Sequence, residues 1–130
     1  MAISPWENEL NLMSPDGIFR AEIADAGEIA MGAPTSGTLV INNEIKISSC
    51  NPSAVWSSNS RYLAIPQWTD KKMQKLIVID AKTGKLTISN KTFNVLVLNR
   101  FEDNIINGID SPNTKNEEFT IDFTKMDKNT

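Results

Sequence analysis

Two stretches of the chain begin alike, and their spacing limits how it can fold. Residues 14–21 read Ser-Pro-Asp-Gly-Ile-Phe-Arg-Ala, and forty-three positions further on residues 57–64 read Ser-Ser-Asn-Ser-Arg-Tyr-Leu-Ala. In both, a polar turn leads into residues that alternate as in a β-strand. An aliphatic run follows roughly twenty residues after each turn, at 39–41 and at 76–80. The spacing predicts a repeated β unit, and one such unit cannot bury its own apolar face.

Alternating apolar and polar residues recur along the rest of the chain and predict further antiparallel strands. We expect strands at 18–23, 37–41, 44–47, 61–65, 75–80, 86–88, 92–98, 104–109 and 118–123. Residues 27–32 are predicted to be the hairpin partner of the strand at 18–23. The run 75–80 is apolar on both faces, which is typical of a central strand.

Helix signals are few in this sequence. The Ser-Pro at 4–5 could start one helical turn over 6–13, but a strand beginning near Glu9 fits better. We therefore predict a single all-β domain over residues 1–126, followed by a frayed tail at 127–130.

Two segments resemble pieces of blades from WD-repeat and TolB-type β-propellers. They are Ser-Pro-Asp-Gly at 14–17 and Leu-Ile-Val-Ile-Asp-Ala-Lys-Thr-Gly-Lys-Leu at 76–86. The resemblance spans roughly residues 10–90, and the repeat spacing matches the roughly 40–45 residues of a four-stranded blade. It implies antiparallel sheets in two to three propeller-blade-like units. Because closed propellers have at least four blades, these units would form a partial propeller, a ring completed by further chains, or a small sandwich.

The chain has no histidine, and this excludes several classes of function. Ser-His and Cys-His nucleophilic pairs and imidazole metal sites cannot form. Cys50 is the single cysteine, and no base flanks it, so we interpret it as a small buried or turn-flanking side chain. Glu7 and Glu9 could share a strand face, which alone does not make an active site. We expect no enzyme, no catalytic residue, no metal site and no cofactor.

Charge is unevenly distributed along the chain. Residues 1–30 carry a net charge of −5, residues 61–100 carry +6, and residues 101–130 carry −4. A concentrated acidic surface attracts a basic partner. The alternative is an ordinary solvated surface whose segments neutralise one another in the fold.

The three tryptophans are further candidates for binding. Trp56 precedes the second polar turn and is predicted to lie in the core, whereas Trp68 adjoins the charged loop 69–72 and is predicted to be more exposed. An exposed tryptophan flanked by charge is typical of a binding hot spot, with ordinary packing as the alternative. The predicted partner-binding residues are Trp6, Glu7, Glu9, Asp16, Glu22, Asp25, Glu28 and Trp68. The overall net charge of −3 argues against direct binding to nucleic acid, despite Lys71 and Lys72 beside Trp68.

Size, acidity and the absence of catalytic side chains are similar to those of small acidic bacterial immunity proteins. We expect a non-catalytic protein that binds a basic toxin of the nuclease type and covers its active or RNA-binding surface. No apolar run reaches the roughly 18 residues of a membrane helix, and residues 1–5 do not resemble a secretory signal, so we expect a cytoplasmic protein that does not bind membranes. A self-assembling, propeller-like interaction module is the alternative, and a carboxylate-dependent enzyme is a third possibility.

Overall fold

Antiparallel strands account for the regular structure of the chain. The computed structural model describes residues 2–126, in which the only helix is a short 3₁₀ helix, Phe123–Lys125. The strands are β1 (Leu10–Met13), β2 (Arg20–Ile23), β3 (Gly27–Glu28), β4 (Thr35–Ile41), β5 (Ile45–Cys50), β6 (Val55–Trp56), β7 (Tyr62–Trp68), β8 (Gln74–Asp80), β9 (Leu86–Phe93), β10 (Leu96–Glu102), β11 (Ile105–Asp110) and β12 (Glu117–Asp122). The all-β prediction is confirmed; the tail predicted at 127–130 lies outside the described residues.

The strands form one curled nine-stranded sheet and one three-stranded sheet. The large sheet has the order β1-β2-β4-β5-β7-β8-β9, with β3 paired to β4 and β6 paired to β7, and the small sheet has the order β10-β11-β12. Strands β5 and β7 are joined through a single pair, Cys50 opposite Gln67. The large sheet therefore divides into two four-stranded meanders, β1-β2-β4-β5 and β6-β7-β8-β9, and the two-residue β3 is attached to the first of them through β4.

The polar turn that opens the first meander is closed by hydrogen bonds centred on Ser14. The Ser14 hydroxyl donates to Asp16 Oδ1 at 2.7 Å and accepts from the Phe19 N–H at 3.0 Å. The Ser14 N–H donates to the Phe19 carbonyl at 2.8 Å, and the Gly17 N–H donates to the Ser14 carbonyl at 2.9 Å. The Ile18 N–H donates to Asp16 Oδ1 at 3.0 Å. Gly17 has φ +76°, a backbone conformation that favours glycine.

The turn of the second meander has the same pattern. The Ser57 hydroxyl donates to Asn59 Oδ1 at 2.6 Å and accepts from the Tyr62 N–H at 3.0 Å. The Ser57 N–H donates to the Tyr62 carbonyl at 2.8 Å, the Ser60 N–H donates to the Ser57 carbonyl at 3.0 Å, and the Arg61 N–H donates to Asn59 Oδ1 at 3.1 Å. Ser60 occupies the position of the glycine with φ +66°. The two turns are thus structural equivalents, as their sequences predict.

Two hydrophobic cores lie between three layers, which are the first meander, the second meander and the three-stranded sheet. The first lies between the facing sides of the two meanders and includes Ile23, Leu39, Trp56 and Leu63. The second lies between the other side of the second meander and the three-stranded sheet. Strand β8 contributes to both, with Ile77 and Ile79 in the first core and Leu76 and Val78 in the second. The prediction of a central strand there is confirmed.

Two sequence-based predictions of pairing are wrong. Residues 27–32 do not form a hairpin with 18–23, because only Gly27–Glu28 is extended and it pairs with β4, opposite Ser36 and Thr35. The run 92–98 is not one strand. It breaks at residues 94 and 95, where the chain turns and one oxygen from a distant residue, Asp110 Oδ1, accepts both of their N–H groups, at 3.0 and 3.2 Å.

Replacement of Gly108, in β11, tests how tightly the small sheet is packed. A Cβ at this position would overlap the Val97 carbonyl oxygen and lie 2.7 Å from Phe119 Cζ. We expect Gly108→Ala to lower the free energy of unfolding by about 1–3 kcal/mol, because neither backbone nor ring can move without repacking. Urea denaturation measures this loss. Gly27→Ala is the control, since no atom lies within 4 Å of its Cβ position, and an equal effect of both substitutions would contradict the prediction.

Candidate partner-binding surface

The structure brings together two acidic segments that are separated in sequence. Pairing of β1 with β2 places Leu10 opposite Ile23. Beyond this pair, the Ala26 N–H donates to the Asn8 carbonyl at 3.0 Å. The Thr35 hydroxyl donates to the Glu7 carbonyl at 2.5 Å. The segment that carries Glu7 and Glu9 therefore runs alongside the segment that carries Glu22, Asp25 and Glu28.

These five carboxylates form what we call the acidic surface: Glu7, Glu9, Glu22, Asp25 and Glu28. Glu22 is half-buried and the other four are exposed. Within residues 2–126, the ion pairs are Arg61 with Asp80 and Arg100 with Glu102, so no member of the acidic surface is ion-paired there. One oxygen of Glu28 accepts the Gly32 N–H, and no ion pair within these residues neutralises the charges of the surface.

Shallow clefts flank the acidic surface. One, of about 400 Å³, is lined by Glu22 and Asp25 together with Val40. Another, of about 330 Å³, is lined by Trp6 and Glu28. The surface therefore offers concave regions in which negative charge lies next to apolar atoms, a common composition for binding sites.

Asp16 does not belong to the acidic surface. It lies in the turn before β2, whereas Asp25 and Glu28 follow that strand at its other end, beside the segment that carries Glu7 and Glu9. The Ile18 N–H and the Ser14 hydroxyl both donate to the Asp16 carboxylate, and these bonds hold its pKa below the ordinary value. The Asp16 N–H also donates to Ser60 Oγ at 2.9 Å, which links the two equivalent turns. The sequence predicts Asp16 as a partner-binding residue; in the structure it is exposed, lies apart from the acidic surface and bonds within its own turn, and its part in binding stays a prediction.

The tryptophans differ in exposure. Trp56 is buried, as predicted, with 6% of its surface exposed. Trp68 is half-buried, because β7 continues to this residue and its indole N–H donates to the Thr35 carbonyl at 2.9 Å. Trp6 is 36% exposed, and its indole N–H donates to the Gly32 carbonyl at 3.0 Å. Trp6 is thus the tryptophan whose ring is exposed to solvent next to the acidic surface.

Met31 was missed by the sequence analysis. Its side chain is completely exposed at the tip of the loop that follows β3. This loop is joined to Trp6 through Gly32, and the Gly32 N–H donates to Glu28 Oε2 at 2.6 Å. In the sequence, a single methionine between alanine and glycine, in a segment that also contains proline, could have indicated an exposed apolar side chain in a loop.

Cys50 is not exposed. Burial raises the pKa of its thiol to about 12, so the thiol remains protonated at neutral pH. This agrees with its interpretation as a buried side chain. In the part of the chain that the structure describes, no group of three acidic or cysteine side chains is arranged to hold a metal ion.

Asp80 ties the hairpin between β8 and β9 to Arg61. Its Oδ2 accepts from Arg61 Nη2 at 2.9 Å, and its Oδ1 accepts from the N–H groups of Lys82 and Thr83 at 2.9 and 3.3 Å. Burial raises the pKa of the Asp80 carboxyl, but the bonds from Arg61 and the two N–H groups outweigh burial and lower it overall. The ionised carboxylate therefore stabilises the folded chain.

This lowered pKa predicts a pH-dependent effect of Asp80→Asn. A carboxyl with a lowered folded-state pKa stabilises the fold above its unfolded pKa of about 4, and this contribution is lost as pH falls through the folded-state pKa. We expect the stability difference between wild type and variant to be largest near neutral pH and to shrink below about pH 4. Denaturant unfolding over this pH range measures it, with Asp70→Asn in the exposed loop as the control. A difference that stays constant with pH would contradict the prediction.

No helix in the described residues is long and apolar enough to cross a membrane. The chain matches no protein-family model, and neither curated proteins nor solved structures give a match.

Proposed function

We propose that this protein is a non-catalytic, cytoplasmic immunity protein that binds a basic bacterial toxin of the nuclease type. In this proposal it neutralises the toxin by covering its active or RNA-binding surface. The observation that carries the proposal is the acidic surface, whose five carboxylates have no ion pair within residues 2–126 and of which Glu28 lines the same cleft as the exposed Trp6.

The proposed mechanism separates attraction from anchoring. Unpaired carboxylates on neighbouring segments sum to a negative field that speeds association with a cationic surface and loses strength as salt rises. Trp6 then supplies the apolar contact, because a tryptophan that loses its remaining exposure at an interface is typical of a hot spot. A nuclease that binds RNA through Lys and Arg would be blocked when these side chains face the acidic surface.

The partners to test are purified basic nuclease domains of bacterial toxins, including any that is encoded beside this gene. We expect a one-to-one complex in size-exclusion chromatography at low salt, loss of nuclease activity within it, and slower association as ionic strength rises. Glu7→Gln with Glu28→Gln should slow association, whereas Glu44→Gln, exposed in the turn after β4, is the matched control. No complex at low salt with any basic nuclease would contradict the proposal.

Trp6→Ala tests the anchor. We expect a loss of roughly 30-fold in affinity for the toxin, which corresponds to about 2 kcal/mol and is typical of a truncated hot-spot tryptophan. Calorimetric titration measures it. Ile18→Ala is the control, because Ile18 is 64% exposed in the turn before β2, away from the acidic surface. Equal losses for the two variants would exclude Trp6 as the anchor.

A self-assembling, propeller-like module is the second candidate. It is favoured by the two four-stranded meanders, whose opening turns share one hydrogen-bond pattern and which are equivalent to propeller-blade-like units in this proposal. Completion of a ring would require further copies of the chain. Light scattering at several protein concentrations separates the candidates: a ring gives a constant mass of several chains, whereas the toxin-binding proposal is compatible with a monomer.

A further inference from the structure

A small apolar slot lies next to the acidic surface, because Trp6 lines both the slot and the cleft that contains Glu28. The slot has a volume of about 230 Å³, and its apolar lining comes from Trp6, Val95 and Pro112. Asn113 and Thr114, both exposed, lie at its rim. The same tryptophan lines the cleft that contains Glu28.

Hydrogen bonds hold both walls in place. The Trp6 indole is fixed by its bond to the Gly32 carbonyl. On the other side, Asp110 Oδ1 accepts the N–H groups of Asn94 and Val95. The Ser111 carbonyl accepts three further N–H groups, those of residues 114, 115 and 116, at 2.7–3.1 Å. A slot built in this way loses little conformational freedom when it is filled, which favours binding.

We propose that the slot binds one apolar side chain from an extended, basic segment of the protein partner, while flanking Lys or Arg side chains reach Glu7 and Glu28. This inference rests on the proposed function and identifies the segment of the partner that is recognised. The volume is below the roughly 300–1,000 Å³ of typical small-molecule sites, so it suits a single side chain. Charge complementarity favours Lys or Arg on either side of this apolar residue of the partner, because the carboxylates beside Trp6 attract cations.

Short peptides test the slot with the full-length protein. The probes are acetylated, amidated Lys-Leu-Lys, Lys-Ser-Lys and Glu-Leu-Glu, and the readout is the indole N–H resonance of each tryptophan by NMR. We expect Lys-Leu-Lys to shift the Trp6 signal in a saturable manner, while the signals of Trp56 and Trp68 stay in place. Replacing Leu with Ser, or Lys with Glu, should weaken the response by about tenfold or more, because burial of the leucine or the charge attraction is lost.

Pro112→Ala provides a variant that keeps the Trp6 reporter. It should reduce the peptide-induced shift several-fold, whereas Pro15→Ala, exposed in the turn before β2, should leave it unchanged. The inference is overturned if Lys-Ser-Lys acts like Lys-Leu-Lys, if Pro112→Ala has no effect, or if the Trp6 signal moves with protein concentration alone, which would identify a second copy as the occupant.

If the toxin complex forms with full affinity in Pro112→Ala, the slot fails while the proposed function stands. If the peptide binds but no toxin does, the proposed function fails instead.

Discussion

Leu63→Ala should lower the free energy of unfolding by about 2–5 kcal/mol, the largest loss expected from any apolar truncation proposed for this chain. Leu63 is completely buried in the first core and lies opposite Ile79 in the β7–β8 pair. Removing its side chain loses the transfer free energy of the missing carbons and leaves a cavity between the two meanders. Urea unfolding, followed by tryptophan fluorescence, measures the change.

Leu86 offers a matched control for this substitution. It lies opposite the same Ile79, on the other side of β8, but it is 39% exposed at the edge of the sheet. Leu86→Ala should therefore cost about 1 kcal/mol or less, because water already contacts its side chain. Equal losses at the two positions would show that the space between the meanders does not form the main core.

Asn51→Asp should also destabilise the fold strongly, by about 3–5 kcal/mol at neutral pH, the usual cost of an unpaired buried charge. The Asn51 side chain is completely buried. Its Nδ2 donates to the carbonyls of Pro5 and Thr35 at 2.8 and 2.9 Å, and its Oδ1 accepts the Ser53 N–H at 3.0 Å. A carboxylate of the same shape would turn two donated bonds into repulsions between oxygen atoms.

The pH dependence distinguishes this mechanism from simple loss of packing. Burial raises the pKa of the introduced carboxyl in the folded state, so the variant is most stable when that group is protonated and loses stability as pH rises through the raised pKa. The deficit relative to wild type should shrink as pH falls toward about 4. Asn43→Asp, in the exposed turn between β4 and β5, is the control. A deficit at position 51 that does not change with pH would contradict the charge mechanism.

Local patterns predicted much of the fold. Alternation identified strands such as β5 and β12, and an apolar run identified β8, because the direction of a side chain in a strand depends on its immediate neighbours. The two polar turns were also recognisable, because the side chains of Ser14, Asp16, Ser57 and Asn59 bond to backbone within the same few residues.

Features set by distant residues could not be predicted in this way. The break between β9 and β10 depends on Asp110, sixteen residues beyond Asn94. The pairing of β3 depends on β4 rather than on the strand before it. The same limit applies to the candidate site. The distribution of charge along the sequence identified the acidic residues, but the position of Asp16, at the opposite end of β2 from Asp25 and Glu28, depends on how the strands run. The slot between Trp6 and Pro112 joins two loops whose closeness no local pattern encodes.

Because alternate side chains of β8 enter opposite cores, neither layer can separate without exposing this strand. The three sheet layers should therefore melt as one cooperative unit, and the slowest-exchanging amide protons should be those of residues 76–79. A strand shared in this way joins residues 2–126 into one scaffold, so substitutions in the loops at the ends of the strands should leave the sheets beneath them unchanged.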